Sequence, residues 1–129
     1  MTLDELNLLS RRVLDCAFRV HTALGPGLLE STYEACLLYE LRKDSLRVET
    51  QVPVPVVYDS VKLVDVGYRI DILVEGQLVV ELKAIDTLAP VHRAQLLSYL
   101  RHSNRRLGLL INFNVEHLRD GIVRQINGY

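Results

Sequence analysis

The chain has 129 residues and a formal net charge of −1, with 15 Lys and Arg against 16 Asp and Glu. That length fits one domain, and a hydrophobic content of 49% is enough to build one core without disulfides. The charge excludes a protein that holds duplex nucleic acid through a global excess of basic residues. Any such affinity must come from metal or from local patches, for which Arg11, Arg12 and residues 101–106 are candidates. Each patch also fits a solvated helix face or helix C-terminus, which is the interpretation we favour.

Cys16 and Cys36 fall on predicted helices, with no second pair and no Cys-x-x-Cys spacing. They are typical of free thiols in a reducing compartment. We find neither a charged-then-apolar leader nor an apolar run of about eighteen residues, the length that a membrane helix needs. We therefore expect a cytoplasmic protein without a membrane segment.

The N-terminal half predicts two helices followed by strands. Thr2 and Glu5 form a capping box that begins a helix running to about residue 23. The sequence Gly25-Pro26-Gly27 ends it, and apolar residues at helical spacing predict a second helix over residues 28–43. Strand segments are predicted over residues 47–58 and 63–66.

Two strands around Asp71 and Glu81 follow, and Pro90 suits the first turn of a helix that ends near residue 102. The apolar run 107–112 predicts a buried strand, and residues 115–126 predict a closing helix. The order α-α-β-β-β-α-β-α indicates one α/β domain over residues 1–129.

Charged residues interrupt two predicted strands that are otherwise apolar. Asp71 lies within Tyr68–Val74, and Glu81 and Lys83 lie within Leu78–Lys83. A charged group on a sheet costs several kcal/mol to desolvate unless it is paired or binds a metal. Three such residues close together therefore indicate a functional site, although a solvated polar face on a hairpin is the alternative.

The apolar faces of these strands predict their register. They coincide if Val74 pairs with Leu78, Ile72 with Val80 and Ile70 with Leu82, across a three-residue connection at 75–77. Asp71 then lies opposite Glu81, and Lys83 lies on the same face. Opposed residues have Cβ atoms roughly 4.5–5.5 Å apart, which lets two carboxylates share one divalent cation.

An Asp followed ten residues later by Glu-x-Lys resembles the PD-(D/E)XK nuclease superfamily. Within it, the chain is similar to the family named for a Gly-x-x-Glu-x-x-Tyr motif, which here is Gly27, Glu30 and Tyr33. The resemblance continues through residues 51–55, 67–71, 80–84, 90–99 and 108–113. One departure is Ile70, which stands at the superfamily's proline position; that position contributes backbone shape rather than chemistry.

The resemblance implies a restriction-endonuclease-like α-β-β-β-α-β core, a mixed sheet flanked by helices, with extra N-terminal and C-terminal helices. It also implies a metal-dependent nuclease that hydrolyses phosphodiester bonds, of DNA rather than RNA. The catalytic residues would be Asp71, Glu81 and Lys83. The ligands of Mg²⁺ or Mn²⁺ would be Asp71, Glu81, the Leu82 carbonyl and Glu30.

Three further residues are candidates for substrate binding, and each has an ordinary structural alternative. Gln95 and Tyr99 are four residues apart and share a helix face, but such a tyrosine can also simply pack on the sheet. His21 would lie at the edge of the site or serve as a satisfied structural histidine. Glu30 itself is favoured by the helix dipole in the first turn of a helix, whatever its function.

The competing interpretation is a catalytically silent module that keeps the nuclease fold for interaction or regulation, with a homodimer as one form. The lack of basic excess and the small size favour it, because a fold does not dictate a function. The presence of Asp71, Glu81 and Lys83 together on one face favours the enzyme. Binding of a divalent cation that depends on Asp71 would discriminate between the two.

Overall fold

The computed structural model describes residues 1–128, apart from the side chains of residues 64–66. Its helices are α1 (Leu3–Leu24), α2 (Glu30–Lys43) and α3 (Pro90–Ser103). Its strands are β1 (Val48–Tyr58), β2 (Val61–Val74), β3 (Leu78–Lys83), β4 (Leu107–Asn112) and β5 (Ile122–Ile126). A short 3₁₀ helix, Leu118–Gly121, precedes β5. Within the described residues, no helix is both long and apolar enough to cross a membrane.

The strands form one mixed sheet in the order β1-β2-β3-β4-β5. Neighbouring strands are antiparallel except β3 and β4, which are parallel and are connected through α3. A parallel pair needs such a crossover, and because its strands are covered on both faces they are apolar almost throughout. Every residue of β4 is buried, as is every residue of β3 except Lys83. The predicted α/β class and restriction-endonuclease-like core are confirmed.

The sheet separates two hydrophobic cores. One lies under α1 and α2 and includes Leu37 and Tyr33, and the other lies under α3 and includes Leu96 and Leu100. The predicted start of α1 is confirmed, since the Thr2 hydroxyl accepts from the Glu5 N–H and the Glu5 carboxylate accepts from the Thr2 N–H, both at 3.1 Å. The helix that was predicted to begin at Pro90 does so.

The predicted C-terminal helix over residues 115–126 is wrong. This segment forms the 3₁₀ helix and then β5, which pairs with β4 from Leu107–Ile126 to Ile111–Ile122. A short apolar run is compatible with either a helix or a strand, and here the otherwise unpaired edge of β4 decides the outcome. The β-branched residues Ile122 and Val123 suit the strand.

The two strand segments that were predicted before and around Asp71 are parts of one longer strand. β2 runs over 14 residues and includes the predicted segment 63–66, whose last three side chains lie outside the described part of the chain. The hairpin between β1 and β2 turns at Asp59 and Ser60, both with positive φ (52° and 63°). A two-residue turn with positive φ at both positions matches the twist of the strands it joins.

β1 and β2 exchange faces at Gln51 and Asp71. Ile72 belongs to the core under α1 and α2, whereas Ile70 and Val52 pack in the core under α3. The ladder pairs Thr50–Ile72 and Val52–Ile70 flank this position, and Gln51 has a φ of 52°. The prediction that Ile70 shares a face with Ile72 is therefore wrong, because the regular ladder is interrupted between these two residues, where Gln51 on the neighbouring strand has a positive φ.

Gly121→Ala tests the observed C-terminal structure. A Cβ at position 121 would lie 2.2 Å from the backbone oxygen of Asn112, so we expect a loss of about 1–3 kcal/mol in the free energy of unfolding. In a C-terminal helix the same change would instead add about 0.5–1 kcal/mol. Urea unfolding measures the difference. Arg119→Ala, at an exposed position in the same 3₁₀ helix, is the control and should change stability by less than about 0.5 kcal/mol.

Candidate active site

Asp71 and Glu81 lie side by side where the ladder between β2 and β3 ends. The predicted pairs Val74–Leu78 and Ile72–Val80 are present, whereas the predicted pair Ile70–Leu82 is not part of the ladder; Asp71 and Glu81 are the next residues along each strand. Beyond this point the backbone N–H groups donate to side-chain carboxylates instead of to backbone carbonyls. The Asp71 N–H donates to Glu81 Oε1 at 3.1 Å, and the Leu82 N–H donates to Asp71 Oδ2 at 2.9 Å. Each carboxylate is thus held by the backbone of the opposite strand.

Neither carboxyl group of the pair is neutralised by an ion pair within the described residues. Glu81 is only 6% exposed. Burial, followed by the charge of Asp71, raises the pKa of Glu81 to about 9. Two like charges in a site with little water favour protonation of one of them, and a bound cation would instead favour the ionised form of both.

Lys83 lies two residues beyond Glu81 on β3 and is half-buried. Its positive charge lowers the pKa of both Glu81 and Glu30, although burial and the charge of Asp71 outweigh it in each case. Its carbonyl accepts a hydrogen bond from the Phe113 N–H at 2.9 Å, which ties the end of β3 to the segment after β4. The ammonium therefore lies close to the acidic residues on a rigid strand.

Two glutamates approach Asp71 from helix α2. Burial and then the charge of Asp71 raise the pKa of Glu30, the first residue of the helix, and they do the same for Glu34. Sequence reasoning selected Glu30 but missed Glu34. The signal that could have found it is the four-residue spacing, which places both glutamates on one side of the helix. The charge of Asp71 therefore acts on both glutamates of α2 as well as on Glu81.

The tyrosine of the Gly-x-x-Glu-x-x-Tyr motif positions the start of α2. The Tyr33 hydroxyl donates to the Gly25 carbonyl at 2.6 Å and accepts from the Leu28 N–H at 3.1 Å. Its ring stacks on Phe113 with centroids 4.7 Å apart. The buried tyrosine thus holds the loop before α2 against the end of β4, which sets where Glu30 begins the helix. Its role is in architecture, next to the site.

Helix α3 brings Tyr99 to the carboxylates. Burial, followed by the charges of Glu81 and Asp71, raises the pKa of Tyr99 to about 12, so its hydroxyl stays protonated and can donate. The Tyr68 ring lies beside it with centroids 4.1 Å apart, and the Tyr68 hydroxyl oxygen is buried without a hydrogen-bond partner in the described part of the molecule. Gln95, one turn earlier on α3, is exposed to solvent.

His21 lies in the core rather than among the carboxylates. It is 8% exposed, its Nε2 is 2.8 Å from the Val115 carbonyl oxygen, and its ring centroid is 6.4 Å from that of Phe113. These contacts are those of the satisfied structural histidine that was the alternative prediction. A cavity of about 550 Å³ beside it is lined by Phe18, Thr22, Gly25 and residues 116–119, and by none of the acidic residues of the site.

Some residues of the basic patches form ion pairs or hydrogen bonds within the protein. Arg12 pairs with Asp44 at 3.1 Å, and Arg105 donates to the carbonyls of Gly76 and Ser103. Arg11 and Arg101 are exposed and remain open to a polyanion.

The residues present fit a divalent cation with oxygen ligands. Hard carboxylate and carbonyl oxygens are the ligands that Mg²⁺ and Mn²⁺ prefer. Asp71 and Glu81 are fixed and lack a counter-ion, and the Oε1 atom of Glu34 is buried without a partner in the described structure. No three His, Cys, Asp or Glu side chains among the described residues are already grouped as a metal would require. Glu30 is exposed at the helix start.

Glu81→Gln should flatten the pH dependence of stability in the metal-free protein. A carboxyl group whose pKa is raised by folding supports the fold fully at low pH, and this support is lost as the pH rises. Here the loss runs from about pH 4.5, the ordinary value, to about pH 9. Urea unfolding in EDTA across this range should show a smaller decline for Glu81→Gln than for wild type. Glu49→Gln, at an exposed position on β1, should decline as wild type does.

A comparison with known families agrees with this geometry. The model of one family, the PD-(D/E)XK nuclease superfamily, matches residues 7–125. Neither a curated protein nor a solved structure matches the chain.

Proposed function

Since the chain belongs to the PD-(D/E)XK nuclease superfamily, we propose that it is a nuclease that hydrolyses phosphodiester bonds with the help of Mg²⁺ or Mn²⁺. The observation that carries the proposal is the pair Asp71 and Glu81, whose carboxylates each accept a backbone N–H from the opposite strand, with Lys83 two residues beyond Glu81 on β3. Within the superfamily we propose the Gly-x-x-Glu-x-x-Tyr family, through Gly27, Glu30 and Tyr33.

The cation would be held by Asp71, Glu81, the Leu82 carbonyl and Glu30. When bound, it would polarise a phosphoryl oxygen and lower the pKa of a coordinated water. We assign Asp71, Glu81 and Lys83 as the catalytic residues. The half-buried Lys83 ammonium orients the attacking water and neutralises charge that develops on the phosphate, where water is partly excluded and such an interaction is strong.

Tyr99 and Gln95 are assigned to the substrate. The phenol of Tyr99, protonated at neutral pH, donates to a phosphate oxygen beside the carboxylates, and the Gln95 amide contacts the phosphate from the solvent side. His21 would act only at the edge of the site, through the position of the loop before α2. Nucleic acid is the partner, and we propose DNA rather than RNA on the resemblance alone.

We infer a cytoplasmic location, supported by Cys16 and Cys36, which are free thiols in the structure. A homodimer remains a prediction.

Bound Mn²⁺ should stabilise the fold through the carboxylates. A cation at one hundred times its dissociation constant adds about 2.7 kcal/mol to the stability of the protein that binds it. Thermal unfolding with excess Mn²⁺ should therefore shift upward for wild type and not for Asp71→Asn. Asp15→Asn, at an exposed position of α1, should shift as wild type does. Equal shifts in wild type and Asp71→Asn would contradict the assigned metal site.

Lys83→Ala should separate metal binding from cleavage. The ammonium is assigned to the water and the phosphate, so its removal should lower the cleavage rate by about 100-fold or more while Mn²⁺ still binds. Asp71→Asn and Glu81→Gln should lose both. Lys62→Ala, exposed near the tip of the β1–β2 hairpin, is the control and should cleave at the wild-type rate.

The assay uses single-stranded and duplex DNA and RNA with Mn²⁺, at several salt concentrations. Because the net charge of −1 provides no global basic excess to hold phosphates, activity should be weak. If all four substrates stay intact at high protein concentration, the catalytically silent module becomes the better interpretation.

A further inference from the structure

We propose that residues 112–114, the Asn-Phe-Asn segment at the end of β4, are positioning residues that fix Lys83 and Glu30 relative to each other. This inference rests on the proposed function, because Lys83 and Glu30 are assigned to the nuclease site. None of the three residues is assigned to the cation, the water or the phosphate. Each of them contacts a different part of the chain around the site.

The side chain of Asn112 holds the chain just after Lys83. Asn112 is 1% exposed and lies beside Lys83 in the parallel ladder of β3 and β4. Its Oδ1 accepts from the Ile85 N–H at 3.1 Å, and its Nδ2 donates to the Ile85 carbonyl at 2.9 Å. One buried amide thus satisfies both backbone groups of Ile85, so the chain has a fixed course beyond the last ladder pair of β3.

Phe113 connects Lys83 with the start of α2. Its N–H donates to the Lys83 carbonyl at 2.9 Å, and its ring stacks on Tyr33 with centroids 4.7 Å apart. The Tyr33 hydroxyl in turn bonds the Gly25 carbonyl and the Leu28 N–H. Phe113 therefore contacts the backbone of Lys83 directly and the loop before Glu30 through Tyr33.

The side chain of Asn114 holds that loop as well. Its Oδ1 accepts from the Gly27 N–H at 3.0 Å, and its Nδ2 donates to Asp86 Oδ1 at 3.4 Å. Its own N–H donates to Asn112 Oδ1 at 3.3 Å. Gly27, with a φ of 100°, lies three residues before Glu30. Asn114 thus joins the loop that precedes α2 to the loop that follows β3.

Lys83 and Glu30 need such a connection because each lies next to a loop. Lys83 is the last residue of β3, and Glu30 is the first residue of α2. Loops are the more mobile parts of a fold, and a misplacement of about 1 Å can lower a reaction rate about 100-fold. Asp71 and Glu81 are held separately, by backbone N–H groups of the opposite strand. Loss of the connection should therefore slow cleavage without abolishing the binding of Mn²⁺.

Asn114→Ala tests the proposal, because Asn114 is only half-buried and its loss leaves the core intact. With Mn²⁺ and whichever of the four nucleic-acid substrates wild type cleaves, kcat should fall at least about tenfold, and KM should change less. Isothermal titration should still show binding of Mn²⁺. The double variant Asn114→Asp with Asp86→Asn keeps both hydrogen bonds, with donor and acceptor exchanged between the two side chains, and should restore kcat.

The matched control is Asn127→Ala. Asn127 is also half-buried, and its side-chain amide donates to the Arg105 carbonyl at 3.0 Å, before the start of β4 and at the opposite end of that strand from Asn114. It loses the same kind of hydrogen bond and should keep the wild-type kcat.

Hydrogen exchange in EDTA gives a measurement that does not depend on activity. In Asn114→Ala the backbone amides of residues 25–30 should exchange faster than in wild type, because the Gly27 N–H has lost its acceptor. The amides of residues 107–111, inside β4, should exchange as in wild type.

The outcomes distinguish this proposal from the proposed function. If Asn114→Ala keeps the wild-type kcat, if the double variant does not recover it, or if exchange over residues 25–30 is unchanged, the positioning role is overturned while Asp71, Glu81 and Lys83 keep their assignment. If Asn127→Ala lowers kcat as much as Asn114→Ala does, the effect is a general one and the proposal also fails. If wild type cleaves none of the four substrates, the nuclease and this inference are both rejected.

Discussion

The backbone hydrogen bonds that hold the carboxylates of Asp71 and Glu81, donated by Leu82 and Asp71, are the constraint around which the site is arranged. Each carboxylate accepts a backbone N–H from the opposite strand, at the point where the ladder between β2 and β3 ends. The backbone groups are thereby satisfied without a further ladder pair. Two acidic side chains are therefore held close together with little freedom, and the groups around them must offset their electrostatic repulsion.

The groups around the acidic pair come from the helices on both faces of the sheet. The crossover between the parallel strands β3 and β4 places α3 over the site, and with it Tyr99. On the other side, Tyr33 fixes the loop before α2 and so the position of Glu30. Because β1 and β2 exchange faces at Gln51 and Asp71, the acidic pair is accessible to side chains from both layers. A sheet with uninterrupted alternation would expose it to one layer only.

The electrostatics show acidic groups held where ionisation is unfavourable. The raised pKa values of Glu81, Glu30 and Glu34 each have burial as the main cause and the charge of Asp71 as the next. Functional sites commonly contain groups that lower the stability of the folded state, and the rest of the structure must offset that loss of free energy. Here the two hydrophobic cores supply that support, and the strands that carry Asp71 and Glu81 are buried between them.

The sequence by itself determined that Asp71 and Glu81 lie side by side, because the apolar residues at 72 and 74 and at 78 and 80, joined by a short turn, allow one register. It also determined the start of α1 at Thr2 and of α3 at Pro90, since caps and proline act locally. Three features depended on tertiary structure: β5 in place of a helix, the reversed face of Ile70, and the approach of Glu34. The edge of β4 decided that β5 is a strand, and the irregular backbone at Gln51 accompanies the reversed face of Ile70. The packing of α2 on the sheet decided the position of Glu34. Local periodicity carries no information about such partners, so these features appear only when the chain is folded.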